Sequence, residues 1–341
     1  MSSTTIQTAP ALTAKDFTTD QEVRWCPGCG DYSILAQVQK IMPTLGIPRE
    51  NIVIISGIGC SSRFPYYMNT YGMHSIHGRA TAIASGLKAS RPELNIWVVT
   101  GDGDSLSIGG NHTIHLLRRN LPIIYIVEDN GVYGLTKGQF SATADIGSKL
   151  KTGVINDLPP IDICALAIQM GATFIARSFS GDKKQLSAML KAAIAHKGTV
   201  LLDIISPCVT FNDHEGSTKS YKYMKEHDEM VNETGFIAPF EDISVEYDHD
   251  TTVDVQMHDG SHLRLRKIRE DYAPTDKTAA VKMLMDAHEK GEVLTGVFYI
   301  NTEELDFASR LNLVDEPLAT LPQERVRPSR EVFAELMQAH R

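Results

Sequence analysis

Short apolar runs alternate with amphipathic segments over roughly the first two thirds of the chain. The clearest runs are continuous and rich in β-branched residues, as in strands buried on both faces of a parallel sheet; they span residues 51–58, 96–99, 123–127, 173–179 and 199–206. Between them, apolar residues recur at helical spacing, most clearly in 34–42, 107–120 and 182–196. This alternation predicts an α/β fold, a doubly wound, mainly parallel sheet with helices on both faces.

The pattern changes near residue 211, and the expected organisation is a flexible tail at 1–20, a main domain at 21–225 and a C-terminal α+β extension at 226–341. The extension is expected to pack on the main domain or on a partner. Its segments ISVEY, TTVDVQM and HLRLRKI alternate apolar and polar residues, which predicts a three-stranded antiparallel meander. A helix at 276–290, a strand at 293–300 and a helix at 331–340 follow, and the tyrosine-rich 65–73 is expected to be a loop.

Chemistry-bearing residues follow the ends of the predicted strands. Asp102 lies in the GDG loop after strand 96–99, and Asn130 follows strand 123–127. A parallel crossover brings the ends of consecutive strands to one edge, so these side chains are expected side by side. Carboxylate and amide oxygens beside a glycine-rich helix start suit Mg²⁺ holding a diphosphate. The same GDG is equally compatible with an ordinary strand–helix turn.

Cysteines occupy comparable positions. Cys26 and Cys29 form a CxxC pair before a helix, whereas Cys60 and Cys208 each follow a strand. A CxxC pair by itself is compatible with zinc, a redox dithiol or iron. Cys164 lies in the apolar segment DICALAI, which predicts a buried, inert thiol.

Composition narrows the class of protein. The chain has 341 residues, 42% of them hydrophobic and 22% charged, with a net charge of −9. Without a basic tract, neither nucleic acid nor an anionic membrane is an expected partner. We expect a cytoplasmic protein, because no signal peptide or membrane span is evident and the cysteines then serve as thiols or metal ligands.

The motifs GDGD, GGNH, RRN and YGLTKGQ, in this order, resemble the β subunits of 2-oxoacid:ferredoxin oxidoreductases, a branch of the thiamine diphosphate enzymes. The resemblance implies that Mg²⁺ is bound by Asp102, Asn130 and the backbone carbonyl of Val132. It also implies a set of contacts to the diphosphate and rings: Ile58, Gly59, Cys60, Ser61, Gly103, Asp104, Gly134 and Leu135, with Thr136 and Lys137 as supporting donors and His77 and Arg79 as weaker candidates.

The same resemblance covers the cysteines. CPGCG, the GxGCS loop and SPC match the family's cluster ligands, which implies a [4Fe-4S] cluster on Cys26, Cys29, Cys60 and Cys208. A four-cysteine zinc site has the same ligand count and is the main alternative. A cluster beside thiamine would accept electrons, whereas zinc has no redox chemistry.

The implied activity is oxidative decarboxylation of a 2-oxoacid, with coenzyme A taking the acyl group and ferredoxin the electrons. Arg63 is the candidate for holding a second substrate carboxylate, because a guanidinium binds a carboxylate through two hydrogen bonds. Together with the stretch SSRFPYYMNTYGMHSIHGRA, it favours 2-oxoglutarate over pyruvate or a branched-chain 2-oxoacid. An ordinary surface ion pair is the alternative for Arg63.

The glutamate that activates thiamine has no motif in this chain, and in the family it comes from an α subunit. The resemblance therefore implies an αβ pair, dimerised to a heterotetramer, and a chain inactive on its own. Two other classes remain open at this point: a non-oxidative thiamine-dependent lyase, and a zinc-stabilised α/β scaffold.

Overall fold

A computed structural model describes residues 12–239 and 252–340 of the chain. Its centre is an eight-stranded sheet with strand order β2-β1-β3-β4-β8-β7-β13-β9. These strands are β1 Ile52–Ser56, β2 Tyr71–His74, β3 Asn95–Gly101, β4 Ile124–Asp129, β7 Phe174–Phe179, β8 Val200–Ile205, β9 Asp228–Met230 and β13 Val293–Ile300. Strands β1, β2, β3, β4, β7 and β8 run parallel to one another, whereas β13 runs antiparallel to β7. The doubly wound, mainly parallel sheet predicted from the sequence is confirmed.

Helices cover the sheet and close its crossovers. They are α1 Asp31–Ile41, α2 Phe64–Tyr67, α3 Ala80–Ser90, α4 Gly110–Arg119, α5 Ile163–Met170, α6 Lys183–Ala195, α7 Tyr221–His227, α8 Lys277–Lys290, α9 Phe307–Arg310, α10 Gln323–Val326 and α11 Arg330–Ala339. Every residue of β1, β4 and β8 is buried, because both faces of these strands carry helices. Cys164 on α5 is also fully buried, as its apolar surroundings in the sequence predict.

Two local predictions were wrong. The stretch 65–73 is not only a loop, since α2 begins at Phe64 and β2 begins at Tyr71 and pairs with β1 at the sheet edge. The helix predicted over 107–120 is interrupted: a π-helical segment, Gly103–Ile108, precedes α4. Asn120 ends α4 in a left-handed conformation with φ 49°, which an asparagine tolerates better than most residues.

The C-terminal third contributes to the main sheet. Strands β9 and β13 extend it past β7, so the sheet continues across the predicted domain boundary at 225/226. A second sheet of order β10-β12-β11 contains β10 Asn232–Ile237, β11 Thr252–Gln256 and β12 His262–Lys267. Two of its strands match the predicted meander. The third, β10, was not predicted, and ISVEY lies outside the described residues.

The amino-terminal segment is partly packed. In the predicted tail, residues 14–17 form a short 3₁₀ helix and Phe17 is fully buried. Thr18 bridges to Met68 beside α2, which fixes the chain where it approaches the first cysteine pair. Among residues 12–239 and 252–340, no helix combines the length and apolarity needed to cross a bilayer.

Candidate functional site: a cofactor rim at the carboxyl ends of the strands

Asp102 and Asn130 lie beside each other where two neighbouring strands end. Strands β3 and β4 pair in parallel with Gly101 opposite Glu128, so the loops that follow them leave the sheet at nearly the same level. The backbone N–H of Gly131 donates to Oδ2 of Asp102 at 3.2 Å. The structure therefore places the Asp102 carboxylate against the peptide N–H that directly follows Asn130, the other residue that the sequence predicts as a Mg²⁺ ligand.

Only one oxygen of the Asp102 carboxylate accepts hydrogen bonds from the described residues. Its Oδ2 accepts the hydroxyls of Ser141 and Thr143, the latter at 2.5 Å, whereas its buried Oδ1 has no partner among the described residues. Burial, reinforced by the nearby Asp129 carboxylate, raises the pKa of Asp102 to about 7. A buried oxygen without a donor is costly, and a hard divalent cation would satisfy it and favour the ionised form. These residues fit Mg²⁺.

Asn130 is held in place by its own loop. Its Oδ1 accepts the backbone N–H of Val132 at 3.0 Å, and its carbonyl accepts Nδ2 of Asn212 at 2.8 Å. Val132 is nearly buried at 8% exposure. A carbonyl oxygen has two lone pairs, so Oδ1 of Asn130 can accept this bond and still face a cation.

The Asp104 carboxylate connects three loops that follow β1, β2 and β3 at the carboxyl edge of the sheet, which we call the rim. Oδ1 accepts the N–H of Ile58 at 3.2 Å and the N–H of Gly78 at 2.8 Å, and it contacts Nδ1 of His77. Oδ2 is packed so tightly against Gly57 that a Cβ there would lie 1.9 Å from it. Oδ2 is buried and has no hydrogen-bond partner among the described residues. The backbone N–H of Asp104, at the start of the π-helical segment, is the donor that this residue can offer to a diphosphate.

Gly103 is required by the packing of Tyr133. A Cβ on Gly103 would lie 2.6 Å from the tyrosine ring, and the Tyr133 hydroxyl donates to the Gly103 carbonyl at 2.9 Å. The same ring contacts His77 edge-on, with centroids 5.7 Å apart. The GDG loop and the YGLTKGQ loop are therefore held against each other by Tyr133.

The predicted cluster cysteines come from three separate segments. Cys26 and Cys29 precede α1, Cys60 follows β1, and Cys208 follows β8. The segments are bonded to one another, because the indole N–H of Trp25 donates to the Cys60 carbonyl at 2.7 Å and the Gly30 N–H to the Pro207 carbonyl at 3.4 Å. The chain therefore gathers these cysteines at the same edge as Asp102.

Gly134, in the YGLTKGQ loop, lies close to two of the predicted cluster cysteines, Cys60 and Cys208. A Cβ on this residue would lie 3.5 Å from Sγ of Cys60 and 3.7 Å from Sγ of Cys208, so both sulfurs border the same space. Thr210 donates to Sγ of Cys26 at 3.2 Å. Burial raises the pKa of Cys60 to about 12, with smaller contributions from Asp31 and from Cys208 and Cys26. Thiols in this setting become thiolates when a metal centre stabilises the charge.

Within the described residues, no three His, Cys, Asp or Glu side chains converge as they would around a single metal ion. The sulfurs of Cys60 and Cys208 border one space beside Gly134, and electrostatic interactions connect Cys60 with Cys26 and Cys29 with Cys208. A group of four cysteines of this kind fits an iron–sulfur cluster, which takes four cysteine ligands.

A buried acidic pair near the cysteines was missed from the sequence. Asp31 begins α1 and accepts the Ser206 hydroxyl at 2.5 Å, and fully buried Glu128 lies beside it. Burial, with the adjacent Asp31 charge, raises the pKa of Glu128 well above its usual value. Ser141 and Thr143 were also missed, because a hydroxyl in a long polar loop carries no signal of its tertiary partner.

Three more predicted residues differ in exposure: Leu135 and Thr136 are exposed, whereas Arg63 is half-buried. Leu135 is 45% exposed, and the Thr136 hydroxyl bonds locally to Oε1 of Gln139 at 2.5 Å. Arg63 follows the Cys60 loop, is half-buried, and makes no ion pair with any described residue. Its positive charge lowers the pKa of Cys60 slightly against the larger effect of burial. The surface ion pair considered for Arg63 is therefore not formed within the described part of the chain.

Comparison with known proteins agrees with this geometry. Residues 57–204 match the family described as "Thiamine pyrophosphate enzyme, C-terminal TPP binding domain". The 2-oxoglutarate synthase subunit KorB of Methanocaldococcus jannaschii is 38% identical over 213 residues, 61% of this chain and 79% of that protein. A solved 2-oxoglutarate:ferredoxin oxidoreductase from Magnetococcus marinus, with 2-oxoglutarate, coenzyme A and succinyl-CoA bound, is 30% identical with TM-score 0.73 and covers 92% of this chain and 94% of that one.

The chain belongs to the family of 2-oxoacid:ferredoxin oxidoreductase β subunits. Within this family, 2-oxoglutarate oxidoreductase subunit KorB of Mycobacterium tuberculosis is 56% identical over 200 residues, 58% of this chain. That match spans 54% of the mycobacterial protein, about half its length. The matched family model, residues 57–204, contains Asp102, Asn130 and Cys60, whereas Cys26, Cys29 and Cys208 lie outside it.

Proposed function

We propose that this chain is the cofactor-bearing β subunit of a 2-oxoglutarate:ferredoxin oxidoreductase. The reaction converts 2-oxoglutarate, coenzyme A and two oxidised ferredoxins into succinyl-CoA, CO₂, a proton and two reduced ferredoxins. The observation that carries the proposal is the shared rim: the free Oδ1 of buried Asp102 and the sulfurs of Cys60 and Cys208 flank one loop, 131–134. A site for a diphosphate cofactor next to a site for an electron acceptor is what this reaction requires.

In this proposal Mg²⁺ is held by Asp102, Asn130 and the Val132 carbonyl. Bound thiamine diphosphate supplies the nucleophilic carbon and the electron sink for decarboxylation. The backbone N–H groups of Gly103 and Asp104 at a helix start, with those of residues 59–61, offer donors to the diphosphate. Asp104 and Tyr133 bond these loops to one another. These bonds hold the thiamine diphosphate site at a set distance from the four cysteines.

The proposed [4Fe-4S] cluster is ligated by Cys26, Cys29, Cys60 and Cys208. Cys60 is central, because its sulfur faces the cluster space while its loop is bonded to Asp104 through Ile58. Thiolate ligands of this kind suit a reducing compartment, so we place the protein in the cytoplasm.

Substrate choice is assigned to Arg63. Its guanidinium lies near the Cys60 loop and pairs with no carboxylate of the described residues, so it can receive the distal carboxylate of 2-oxoglutarate. The 2-oxoglutarate bound to the Magnetococcus marinus protein supports the same choice. Pyruvate or a branched-chain 2-oxoacid is the alternative substrate, because neither needs a second cation.

An α subunit completes the site. Large apolar side chains on segments flanking the rim are exposed, as on a surface that binds another protein; they include Tyr71 at 66%, Ile76 at 70%, Ile146 at 63% and Leu158 at 69% exposure. The α subunit would bring the activating glutamate and cover this surface, in an αβ pair that dimerises to a heterotetramer.

Reconstitution tests the function. The β chain is produced anaerobically with its α subunit, and reduction of ferredoxin is followed with 2-oxoglutarate, pyruvate and a branched 2-oxoacid, each with coenzyme A. We expect a brown protein with about four irons per αβ pair, with reduction fastest on 2-oxoglutarate. A colourless zinc protein would refute the cluster. Decarboxylation without ferredoxin reduction would instead support a non-oxidative thiamine-dependent lyase.

A further inference from the structure

A concave surface between α1 and α6 is lined by lysines, and we call it the lysine groove. It encloses about 450 Å³ and is bordered by Lys40, Lys183, Lys184 and Lys191, with Gln37, Ser187, Ala188 and Phe236. All four lysines are exposed, and Phe236 of β10 is half-buried against the core at one side of the groove. The groove therefore combines an apolar side chain, Phe236, with four positively charged lysines.

The lysines of the groove lack counter-charges. Within residues 12–239 and 252–340, none of the four makes an ion pair with a carboxylate, whereas Lys219, Lys222 and Lys282 elsewhere do. The chain as a whole carries a net charge of −9. Four unpaired like charges in one concavity repel one another, and a complementary negative surface would relieve that repulsion.

The groove begins next to the cysteines. Helix α1 starts at Asp31, two residues after Cys29, and Gln37 lies about 9 Å further along at the rise of an α-helix. Helix α6 follows Ser180, whose Oγ would lie 2.7 Å from a Cβ on Gly30. Both helices therefore lead from the proposed cluster into the groove.

We propose that the lysine groove is the docking surface for the small acidic electron-carrier protein that takes electrons from the cluster. The inference rests on the proposed function, since it names where its electron acceptor binds. Lysines attract an acidic carrier toward the groove, and the exposed part of the Phe236 ring offers it an apolar contact. Electrostatic steering with a small apolar contact suits a carrier that must bind and leave in every turnover.

The test uses the αβ holoenzyme with two triple variants of equal charge change. In the groove variant, Lys40→Glu, Lys184→Glu and Lys191→Glu reverse the lining. In the control variant, Lys277→Glu, Lys282→Glu and Lys290→Glu reverse three exposed lysines of α8. Acidic ferredoxin and saturating methyl viologen serve as alternative acceptors, at low and at high salt.

We expect the groove variant to raise the KM for ferredoxin about tenfold or more at low salt, with less difference at high salt. Its turnover with methyl viologen and its KM for coenzyme A should stay within about twofold of wild type, and the control should match wild type throughout.

Three results would overturn the docking surface. Equal ferredoxin KM in the groove and control variants would show that the groove does not dock the carrier. A raised KM for coenzyme A, with ferredoxin unaffected, would make the groove a site for a phosphorylated small molecule. If wild type reduces neither acceptor, the proposed function fails and the inference with it, which is distinguishable because the dye does not need the groove.

Discussion

Oδ1 of Asp104 accepts the backbone N–H of Gly78 at 2.8 Å, so a residue of the GDGD loop holds the start of α3. The same oxygen accepts the Ile58 N–H in the loop that carries Cys60. One buried carboxylate thereby sets the spacing between the proposed phosphate site, the cluster loop and the His77 segment. Burial raises the pKa of Asp104, against the lowering effect of these bonds.

Replacing Asp104 should loosen this part of the rim. Asp104→Ala leaves two backbone donors without an acceptor, at about 1–3 kcal/mol each, so we expect the unfolding free energy to fall by about 3 kcal/mol. Thiamine diphosphate binding should weaken in parallel. Chemical denaturation and a calorimetric titration with Mg²⁺ and thiamine diphosphate measure the two effects. Asp104→Asn keeps an acceptor oxygen and should lose less of both, so equal losses in the two variants would contradict this role.

Ser141 should affect the metal through Asp102. Its hydroxyl donates to Oδ2 of Asp102, which leaves Oδ1 for the cation. Ser141→Ala should therefore weaken Mg²⁺ binding about 10- to 100-fold, as for other residues that orient a metal ligand. The dependence of thiamine diphosphate binding on Mg²⁺ concentration measures this. Ser90→Ala, at a half-buried serine that ends α3, serves as the control. The prediction fails if Ser141→Ala binds Mg²⁺ as tightly as this control does.

Replacing Cys208 and replacing Cys164 should have different effects on the iron content of the protein. Cys208→Ser removes a proposed cluster ligand and should abolish the brown colour and most of the iron in anaerobically purified protein. Cys164→Ala should retain both, because Sγ of Cys164 is buried beneath α5, 3.8 Å from Oδ2 of Asp203. Iron analysis and visible absorption distinguish them. Equal iron in both variants would remove Cys208 from the ligand set.

Arg63 should determine the ratio of activities on two substrates. Arg63→Gln removes the proposed partner of the distal carboxylate, so kcat/KM on 2-oxoglutarate should fall about 100-fold or more, in the range expected for a lost charged hydrogen bond. Activity on pyruvate, which lacks that group, should change little. Steady-state kinetics of the holoenzyme on both acids give the comparison. A parallel loss on both would indicate a structural role for Arg63.

His196 should contribute to acid sensitivity. Burial, with a smaller effect of His258, lowers the pKa of His196 from 6.5 to about 3, so the folded protein holds it neutral. The unfolded chain binds this proton below pH 6.5, and stability is therefore lost as the pH falls toward 3. From pH 7 to 5 the loss from this group is about 2 kcal/mol.

Denaturation of His196→Gln at pH 7 and pH 5 measures that contribution. The variant should be less stable at pH 7, because Nε2 of His196 contacts the Thr173 hydroxyl at 2.7 Å, but it should lose less stability on acidification than wild type. The exposed His288→Gln should show the wild-type pH dependence. An unchanged pH dependence in His196→Gln would contradict the buried, neutral state.

Periodicity and chain direction alone predicted the parallel sheet and the edge at which the candidate site residues lie. Short continuous apolar runs rich in β-branched residues, such as 123–127, are typical of strands covered on both faces, and the parallel strands of one sheet end on one side. Asp102, Asn130, Cys60 and Cys208 each follow such a strand, so their common location followed from periodicity and chain direction.

The hydrogen-bond partners and neighbours of these residues depend on the three-dimensional fold. The bonds from Ser141 and Thr143 to Asp102, the contact of Gly134 with two cysteines and the lysine groove join segments far apart in sequence, and no local pattern encodes such pairs. Strands β9 and β13 joined the main sheet for a similar reason: a strand's period of two specifies which face is buried, whereas its neighbour is selected by packing against the rest of the fold.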